Sequence, residues 1–518
     1  MNRNPLDYRL SRRGFMRQAA CASLGTVTLI NALSSLRLTA AATALNSEID
    51  QISDYKTMVC IYLGGGNDSH NMLAPLYDPA NSNQSIAYQN YINFRQGLSL
   101  TAQTNIPSLP DLEPEELHVL NLGNSVNAFN EFYSSNDIQP LGVHHSALEL
   151  SELFHGIDGA DPDLAFVCNV GTLAAPIVNF DDYDLNPNKR PKDLFSHNSQ
   201  TMQWMTSIVD GPSATGWGGR IADMLYESGG SSSEVPMAIS LTGGSTTFLR
   251  NEGKSFSPIG ITGAGAPEIN RMIDHGESSL VERLVGLSNN HLMLNEYTRK
   301  ADSAIQASDT IQKAIDTVID ESGTIDGIFS LADGFDLGQQ LKMVAKLIAA
   351  NGKENSPLDN KRQIFFVNVG GYDTHDNHLL EHEMLMAELS VSLKAFRNAV
   401  DAVGKWGETV AFTMSDFNRT LAPNTDGLDH AWAGHHIVMG GAINGGQIYG
   451  DYPSLDISNG AARKMDASND GRGRLIPTVS VDQYASKIAE WFGVDSGCLP
   501  DIFPNLTEFS PHNNLNFI

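Results

Sequence analysis

The sequence is poor in cysteine, in basic residues and in long hydrophobic runs, and each shortage excludes a class of protein. Four cysteines in 518 residues are too few for a disulfide framework. Lysine and arginine together number 33 against 60 acidic residues, so at a formal net charge of −27 no general attraction to nucleic acid is expected. After the N-terminal region no run of about eighteen apolar residues occurs, and we therefore expect no membrane span in the mature chain.

Signatures of nucleotide and redox binding are also missing. No Gly-Lys-Ser or Gly-Lys-Thr follows the glycines Gly64–Gly66, which excludes a phosphate-binding Walker loop. The absence of a dinucleotide fingerprint and of a cysteine cluster disfavours an oxidoreductase. Cys60 and Cys168 lie in apolar runs, where we expect two buried small hydrophobic side chains, with a disulfide across neighbouring strands as the alternative.

The N-terminus has the pattern of an export signal. Arg12 and Arg13 precede a mildly apolar stretch that ends in the small residues Ala40–Ala44. This order is typical of a twin-arginine signal, with cleavage expected after Ala44, and the alternative is an ordinary segment that happens to contain the arginine pair. We expect the twin-arginine export machinery as a partner and a periplasmic or exported location. Removal of residues 1–44 takes away six arginines and one aspartate and moves the net charge from −27 to −32.

Short β-branched and aromatic runs predict buried strands, and apolar residues at helical spacing predict the helices between them. The predicted strands are Met58–Leu63, Leu164–Val170, Val235–Leu241, Ile364–Val369, Thr409–Met414 and His436–Met439. The predicted helices include Ile305–Ile319, Leu337–Ala350, Leu379–Trp406 and Ser480–Phe492. This alternation predicts an α/β fold with a mostly parallel central sheet and helices on both faces. We expect one domain over residues 45–518, with a helical and irregular insertion or cap around residues 229–360.

Aspartate and histidine residues follow three of the predicted strands. In an open parallel sheet, ligands bind at the carboxyl ends of the strands, so these residues are expected at one rim. The expected metal ligands are Asp68, Asp373, His375, Asp429, His430 and His435, with His436 as an alternative to His435. Their oxygen and nitrogen atoms suit two divalent ions that share a bridging carboxylate. We expect zinc or manganese, with calcium or magnesium as the alternative.

Each of these residues also has an ordinary structural interpretation. Asp68, directly after three glycines, is placed for an Asx-turn or a helix N-cap. Asp373 and His375 form a short Asp-Thr-His sequence of a common kind, and the histidines after Asp429 fit a surface loop. The metal hypothesis therefore depends on the three strand ends meeting.

Several motifs, in this order along the chain, resemble the twin-arginine-exported family labelled domain of unknown function 1501. After the arginine signal, the resemblance covers nearly all of the mature chain. The matching segments are Gly65–Asn71, Ser196–His197, Gly216–Arg220, Gly370–His375, Ser415–Thr420, Asp429–His435, Gly440–Gly450 and Gly473–Ser480.

This family is grouped with the alkaline phosphatase and sulfatase superfamily, whose members hydrolyse phosphate or sulfate esters with one or two metals. The resemblance implies that Asp68 is the first-strand carboxylate of that superfamily. It also implies that Asp373 and His375 bind one metal, Asp429 and His430 the other, and that His435 or His436 completes a coordination sphere. The spacing of Asp373 and His375 is tighter than the phosphatase pattern, and Asp416 stands where the family tends to have Glu.

The attacking group is the least constrained part of the site. Ser196 opens a predicted helix, Phe195–Trp204, where a helix N-terminus would stabilise a transferred phosphoryl group, although an ordinary N-cap is the alternative. Ser69 and Thr172 are rival hydroxyls. Arg419, and after it Arg220, is expected to neutralise the developing anion.

Two functions follow from the sequence. The first is an exported, metal-dependent hydrolase of phosphate or sulfate esters, acting on a small molecule or a polymer. The alternative is a non-catalytic binding or surface-assembly protein that retains a phosphatase-like fold.

Overall fold

The structure, a computed structural model, describes most of the chain after the expected signal. The described residues are 52–76, 85–100, 118–120, 141–231, 235–252, 257–265, 292–457, 466–467, 471–510 and 514–518. The expected signal segment, residues 1–44, lies outside the described residues. None of the helices in these ranges combines the length and apolar character needed to cross a bilayer.

Within the described residues, a nine-stranded sheet is the centre of the fold. Its strands are β1 (Lys56–Leu63), β5 (Leu164–Gly171), β6 (Ala238–Ser240), β7 (Ile259–Gly260), β8 (Arg362–Val369), β9 (Thr409–Ser415), β10 (Gly434–Gly440), β11 (Ile448–Gly450) and β12 (Val479–Ser480). Their spatial order is β11-β5-β10-β9-β1-β8-β6-β7, and β12 pairs with β5. A smaller sheet has the order β2-β4-β3, from Leu73–Pro75, Leu141–Val143 and His118–Leu120.

The central sheet is mostly parallel, as predicted. Strand β1 runs parallel to both of its neighbours, β8 and β9. Strand β10 is reversed and pairs antiparallel with β9 and β5. The predicted strand His436–Met439 therefore exists but begins earlier, at Gly434, and runs the other way. The start of β10 thus lies at the same rim as the ends of β1, β8 and β9.

Helices cover both faces of the sheet, which confirms the predicted fold class. They are α1 (Ser69–Met72), α2 (Ile86–Arg95), α3 (Leu148–His155), α4 (Phe180–Leu185), α5 (His197–Thr206), α6 (Trp217–Leu225), α7 (Leu292–Asp316), α8 (Ile319–Ile328), α9 (Asp336–Ala350), α10 (His378–Ala402), α11 (Val481–Phe492) and α12 (Leu499–Ile502). Successive side chains of β1 point to opposite faces. Val59 and Ile61 join a core with α9 and α10, whereas Met58 and Cys60 join another with α6 and α11.

The region around 229–360 contributes to the sheet itself as well as to its cover. It supplies β6 and β7, which extend the sheet beyond β8, and the helices α7 to α9. Only Ala238–Ser240 of the expected strand Val235–Leu241 pairs with β8. Cys60 and Cys168 are buried and free, on strands separated by β9 and β10, as expected for small hydrophobic side chains.

Candidate metal centre

A glycine-rich turn after β1 brings the loop after β8 into position. Gly65 has a φ of +117°, and a Cβ there would lie 2.6 Å from the backbone nitrogen of Asp373. Gly66 has a φ of +90°, and its Cβ would lie 2.5 Å from the Phe417 ring. Only glycine adopts these conformations at low cost. The turn therefore lets the Asp373 backbone and the Phe417 ring approach β1 closely.

Four side chains meet at this rim and form what we call the rim cluster: His197, Asp373, His375 and His430. The Nε2 atom of His430 lies 3.1 Å from Nε2 of His197 and 3.0 Å from Nε2 of His375. Oδ1 of Asp373 lies 3.4 Å from Nε2 of His197, 3.1 Å from that of His375 and 3.5 Å from that of His430. Asp373 and His375 are 49% and 44% exposed, so the cluster is open to solvent.

The hydrogen bonds on the far sides of two imidazoles show why a cation fits between them. Nδ1 of His430 donates to the backbone carbonyl of Phe195 at 2.8 Å. Nδ1 of His197 faces the carboxylate of Asp416 at 2.6 Å. Because carbonyl and carboxylate oxygens accept, both Nε2 atoms carry lone pairs in the neutral rings. Two lone pairs facing each other at 3.1 Å repel unless a proton or a cation lies between them.

The donor set and its spacing match a divalent metal. Zinc binds imidazole nitrogen and carboxylate oxygen at about 2.0–2.2 Å, which places neighbouring tetrahedral ligands about 3.4 Å apart. The ligand atoms of His197, Asp373 and His430 all lie within 4.8 Å of one another. Histidine ligands oriented by a carboxylate or a carbonyl are the usual arrangement around zinc. The described structure therefore contains a group of side chains that could hold a metal ion.

Local electrostatics shift the pKa values of the candidate ligands in different directions. The hydrogen bond to Asp416 raises the pKa of His197 above its usual value. Burial lowers the pKa of His430. Burial alone would raise the pKa of Asp373, but the hydrogen bond and charge of Arg419 outweigh it and hold that pKa below its usual value. The opposite shifts of the two pKa values make His197 the more basic of the two facing imidazoles.

Arg419 is a positioning residue in this geometry, rather than the anion contact expected from the sequence. Its side chain is fully buried. Nε donates to the carbonyl of Gly66 at 2.9 Å and Nη1 to that of Leu428 at 3.0 Å. Nη2 donates to the carbonyl of Gly65 and to Asp373. These contacts fix Asp373 but leave Arg419 no open path to a bound substrate.

Asp68 lies apart from the rim cluster, in a second group that we call the buried cluster: Asp68, Arg95, His378 and His382. Oδ2 of Asp68 accepts from Nη2 of Arg95 and, at 2.8 Å, from Nε2 of His378. Burial alone would raise the pKa of Asp68, but the charge of Arg95 and the hydrogen bond from His378 hold it well below the usual range. Three of these residues could also ligate an ion. Arg95 balances the carboxylate charge, while Oδ1 of Asp68 and Nδ1 of His382 are buried without a hydrogen-bond partner among the described residues.

Asp429 supports a ligand of the rim cluster. Its Oδ1 atom lies 3.6 Å from Nδ1 of His375 and accepts from Asn424 at 3.1 Å. Its Oδ2 atom accepts from Nη1 of Arg472 at 2.5 Å. Asp429 thus lies behind His375 at ion-pair distance, farther away than the hydrogen-bonded Asp416 lies from His197.

His435 and His436 lie on β10 and face the interior. The backbone N–H of Asn169 donates to Nδ1 of His435 at 3.2 Å, and the His435 ring stacks on Tyr452. His436 packs against Trp204, and burial lowers its pKa to about 3. His435 was expected in the loop before a strand that begins at His436, but β10 begins at Gly434, so both histidines lie in the strand. Neither histidine contacts the rim cluster within the described residues.

Ser196 lies between two residues of the site. It occupies the N-cap of α5, but its side chain makes no capping hydrogen bond. Its neighbour Phe195 accepts from His430, and its other neighbour is the ligand His197. The φ of Phe195 is +69°, an uncommon conformation that aims its carbonyl at the imidazole. Ser196 is therefore next in sequence to two residues of the site, and its hydroxyl does not cap α5.

The rival residues Ser69, Thr172 and Arg220 are buried instead. The Thr172 hydroxyl donates to Gln200 at 3.2 Å, and Ser69 is buried in α1 beside the buried cluster. Arg220 donates to backbone carbonyls, including that of Ile502, and burial lowers its pKa to about 10. Arg220 is thus part of the core packing.

Sequence reasoning missed His197 as a candidate ligand and Asp416 as its hydrogen-bond partner. Both lie in motifs that carry the family resemblance, Ser196–His197 and Ser415–Thr420, and this was the available signal. It also missed His378 and His382, which lie one helical turn apart at the start of α10. Their four-residue spacing was visible in the sequence, but their packing beside Asp68 in the folded chain was not.

Comparison with known proteins gives one result. Residues 356–464 match the model of a family described as "Protein of unknown function (DUF1501)". No curated protein and no solved structure matches the chain. The matched segment contains Asp373, His375 and His430 together with their supports Asp416 and Asp429. Over the segment that carries most of the rim cluster, the chain is thus similar to the family of unknown function DUF1501.

Proposed function

We propose that this protein is a metal-dependent hydrolase of phosphate or sulfate esters. The observation that supports the proposal is that three Nε2 atoms and one carboxylate oxygen converge at a rim that is open to solvent. The Nε2 atoms of His197 and His375 each lie 3.0 to 3.4 Å from Nε2 of His430 and from Oδ1 of Asp373, and these last two atoms are 3.5 Å apart. A divalent ion bound there would polarise an ester oxygen and lower the pKa of an attacking hydroxyl or water.

The chain's own residues have separate roles in this proposal. His197, Asp373, His375 and His430 hold the ion, while Arg419 fixes Asp373. Asp416 and Asp429 orient two of the imidazoles from outside. Ser196 offers a half-buried hydroxyl, between Phe195 and His197, as the nucleophile. The end of a parallel sheet is the usual place for such a site.

The proposal is tested with the purified full chain, loaded in turn with zinc, manganese, magnesium and calcium. We expect at least one metal to support turnover of aryl phosphates, phosphodiesters or aryl sulfates. His430→Ala removes a central ligand and is expected to lose both bound metal and turnover. His155→Ala, an exposed histidine on α3, is the matched control and keeps both.

Two outcomes decide against hydrolysis. The absence of turnover with every metal, together with unchanged metal content in His430→Ala, overturns the proposal. Bound metal without turnover favours the alternative, a non-catalytic binding or surface-assembly protein. Ser196→Ala separates the two kinds of attack, because loss of turnover with retained metal identifies the serine as the nucleophile, whereas retained turnover identifies water.

We further propose that the protein is exported by the twin-arginine route. The support is the sequence of residues 1–44, with Arg12 and Arg13 before an apolar stretch and a small-residue site. Replacing Arg12 and Arg13 by lysine in the full chain is expected to leave it in the cytoplasm with its N-terminal segment uncleaved. Export of this double variant would contradict the proposal.

A further inference from the structure

His197 reaches the rim cluster from a helix, at the first position of α5. The other three members of the cluster lie in segments that follow β8 and β9. Ser196, which precedes the helix, makes no side-chain capping hydrogen bond. The start of α5 is therefore not fixed by its own cap, and contacts with the sheet have to hold the imidazole against the cluster.

Four residues that we call the tyrosine circuit supply such contacts: His197, Asp416, Tyr62 and Thr201. Nδ1 of His197 lies 2.6 Å from Oδ2 of Asp416, whose Oδ1 accepts from the Tyr62 hydroxyl at 2.5 Å. The Tyr62 oxygen lies 2.7 Å from Oγ1 of Thr201. Thr201 is four residues after His197, so the two side chains lie one turn apart on the same face of α5. The circuit thus ties the first two turns of the helix to β1.

The direction of each hydrogen bond in the tyrosine circuit follows from the hydrogens available. A tyrosine hydroxyl has one hydrogen, and Tyr62 donates it to the carboxylate of Asp416. The Thr201 hydroxyl is therefore the donor to the Tyr62 oxygen. Burial, and after it the charge of Asp416, raises the pKa of Tyr62 well above its usual value, so this hydroxyl keeps its hydrogen at neutral and mildly alkaline pH.

We infer that Tyr62 and Thr201 are positioning residues for His197. Acting through Asp416, they keep its imidazole oriented with Nε2 toward a bound metal ion. The inference rests on the metal binding of the proposed function and extends the site to β1. Tyr62 is 5% exposed, so phenylalanine would fill the same space. It would leave Oδ1 of Asp416 with the longer hydrogen bond from the Gly65 backbone, at 3.2 Å. An imidazole that is already oriented loses less freedom when it binds an ion.

The first measurement is the metal affinity of the full chain, by competition with a chelating dye. Tyr62→Phe removes only the hydroxyl and is expected to weaken metal binding about tenfold. Thr201→Val removes a neutral donor and is expected to cause a smaller loss, about two- to fivefold, whereas Thr201→Ser keeps the donor and the affinity. Tyr449→Phe is the matched control, because Tyr449 is a buried tyrosine on β11 that donates to the carbonyl of Asn444 at 2.9 Å. It is expected to bind metal as the unmodified protein does.

The second measurement reports the orientation of His197 in the metal-free chain. An imidazole N–H that donates to a carboxylate gives a proton NMR resonance far downfield, and its loss in His197→Gln assigns it. Tyr62→Phe is expected to broaden this resonance, because a less restrained Asp416 lets the N–H exchange with water. Tyr449→Phe is expected to leave it sharp. A general loss of packing would affect the two tyrosine variants alike.

Three outcomes overturn the inference alone. The first is unchanged metal affinity in Tyr62→Phe, and the second is a resonance that stays sharp in this variant. The third is the full effect of Tyr62→Phe in a chain that already carries Asp416→Ala, because a residue that acts through Asp416 has little effect once that carboxylate is gone. A full chain that binds none of the four metals overturns the proposed function and this inference with it.

Discussion

Asp416 has an effect on the rim cluster although it is not a ligand in it. Its Oδ2 atom holds His197, while its Oδ1 atom accepts from the Tyr62 hydroxyl at 2.5 Å and from the backbone N–H of Gly65 at 3.2 Å. A carboxylate fixed on both sides keeps one imidazole in a single orientation. We therefore expect the affinity of the site for metal to depend on a residue behind it.

We predict that Asp416→Asn weakens metal binding about ten- to a hundredfold without unfolding the protein. The amide has nearly the same size but removes the charge that favours the bound imidazole. Competition with a chelating dye measures the affinity. Asp401→Asn, an exposed carboxylate paired with Arg397 on α10, is the control. Equal affinities in the two variants would show that Asp416 does not tune the site.

Asp68 and Arg95 form an ion pair with both side chains fully buried. We predict that Asp68→Asn destabilises the fold by about 3–5 kcal/mol, since it leaves a buried guanidinium without a counter-charge. Urea unfolding measures this, and elemental analysis of the same sample is expected to show unchanged metal content. The double variant Asp68→Asn with Arg95→Met removes both charges and should recover much of the loss. Loss of metal at unchanged stability would instead identify Asp68 as a ligand, as the sequence suggested.

At the scale of elements, the turn between β1 and α1 fixes the site more strictly than any helix does. Gly66 lies against Phe417, whose ring centre is 4.7 Å from that of His197 and 4.6 Å from that of His430. A side chain at this position would push the ring toward two ligands. The turn therefore controls ligand placement through one aromatic ring.

We predict that Gly66→Ala costs about 1–3 kcal/mol of stability and also weakens metal binding, because alanine disfavours a φ of +90° and meets the Phe417 ring. Gly97→Ala is the matched control, since a Cβ there meets no atom within 4 Å. Thermal unfolding and dye competition report the two effects. An identical response of the two variants would mean that the turn tolerates a side chain.

The start of α11 contains a buried carboxyl group, Asp482. Burial raises the pKa of Asp482 to about 7. Because the folded-state pKa lies above the unfolded value of 3.8, the stability due to the protonated form is complete below about pH 4 and is lost as the pH rises through 7. The helix is thus better anchored in mild acid.

We predict that the wild-type chain loses about 2–3 kcal/mol more unfolding free energy than Asp482→Asn does between pH 5 and pH 8. The asparagine variant cannot ionise at this position, so it lacks this part of the pH dependence. Urea unfolding at the two pH values measures both proteins. Parallel pH profiles would contradict a raised pKa at Asp482.

For the whole molecule, the sequence predicted the architecture because the strands that form the sheet are short apolar runs ending in glycine and polar residues. The rule that parallel strands end at one rim correctly brought Asp373, His375 and His430 together. His197 was not predicted as a ligand because it reaches the rim from α5, far along the chain from the end of β5. No sequence pattern encodes the pairing of Asp68 with Arg95, which depends on tertiary packing. His435 was expected in a loop, but β10 begins two residues earlier than predicted. His435 therefore lies in the strand and faces the interior.

The reversed strand β10 has a consequence for how the site could change over time. Because β9 ends and β10 begins at one rim, the segment 416–433 leaves and re-enters the sheet at the same edge. The exposed part of this segment, around Thr425 and Asp426, can therefore change in length without shifting the register of either strand. Related chains could thus keep the rim cluster in place while the surface beside it differs from one chain to the next.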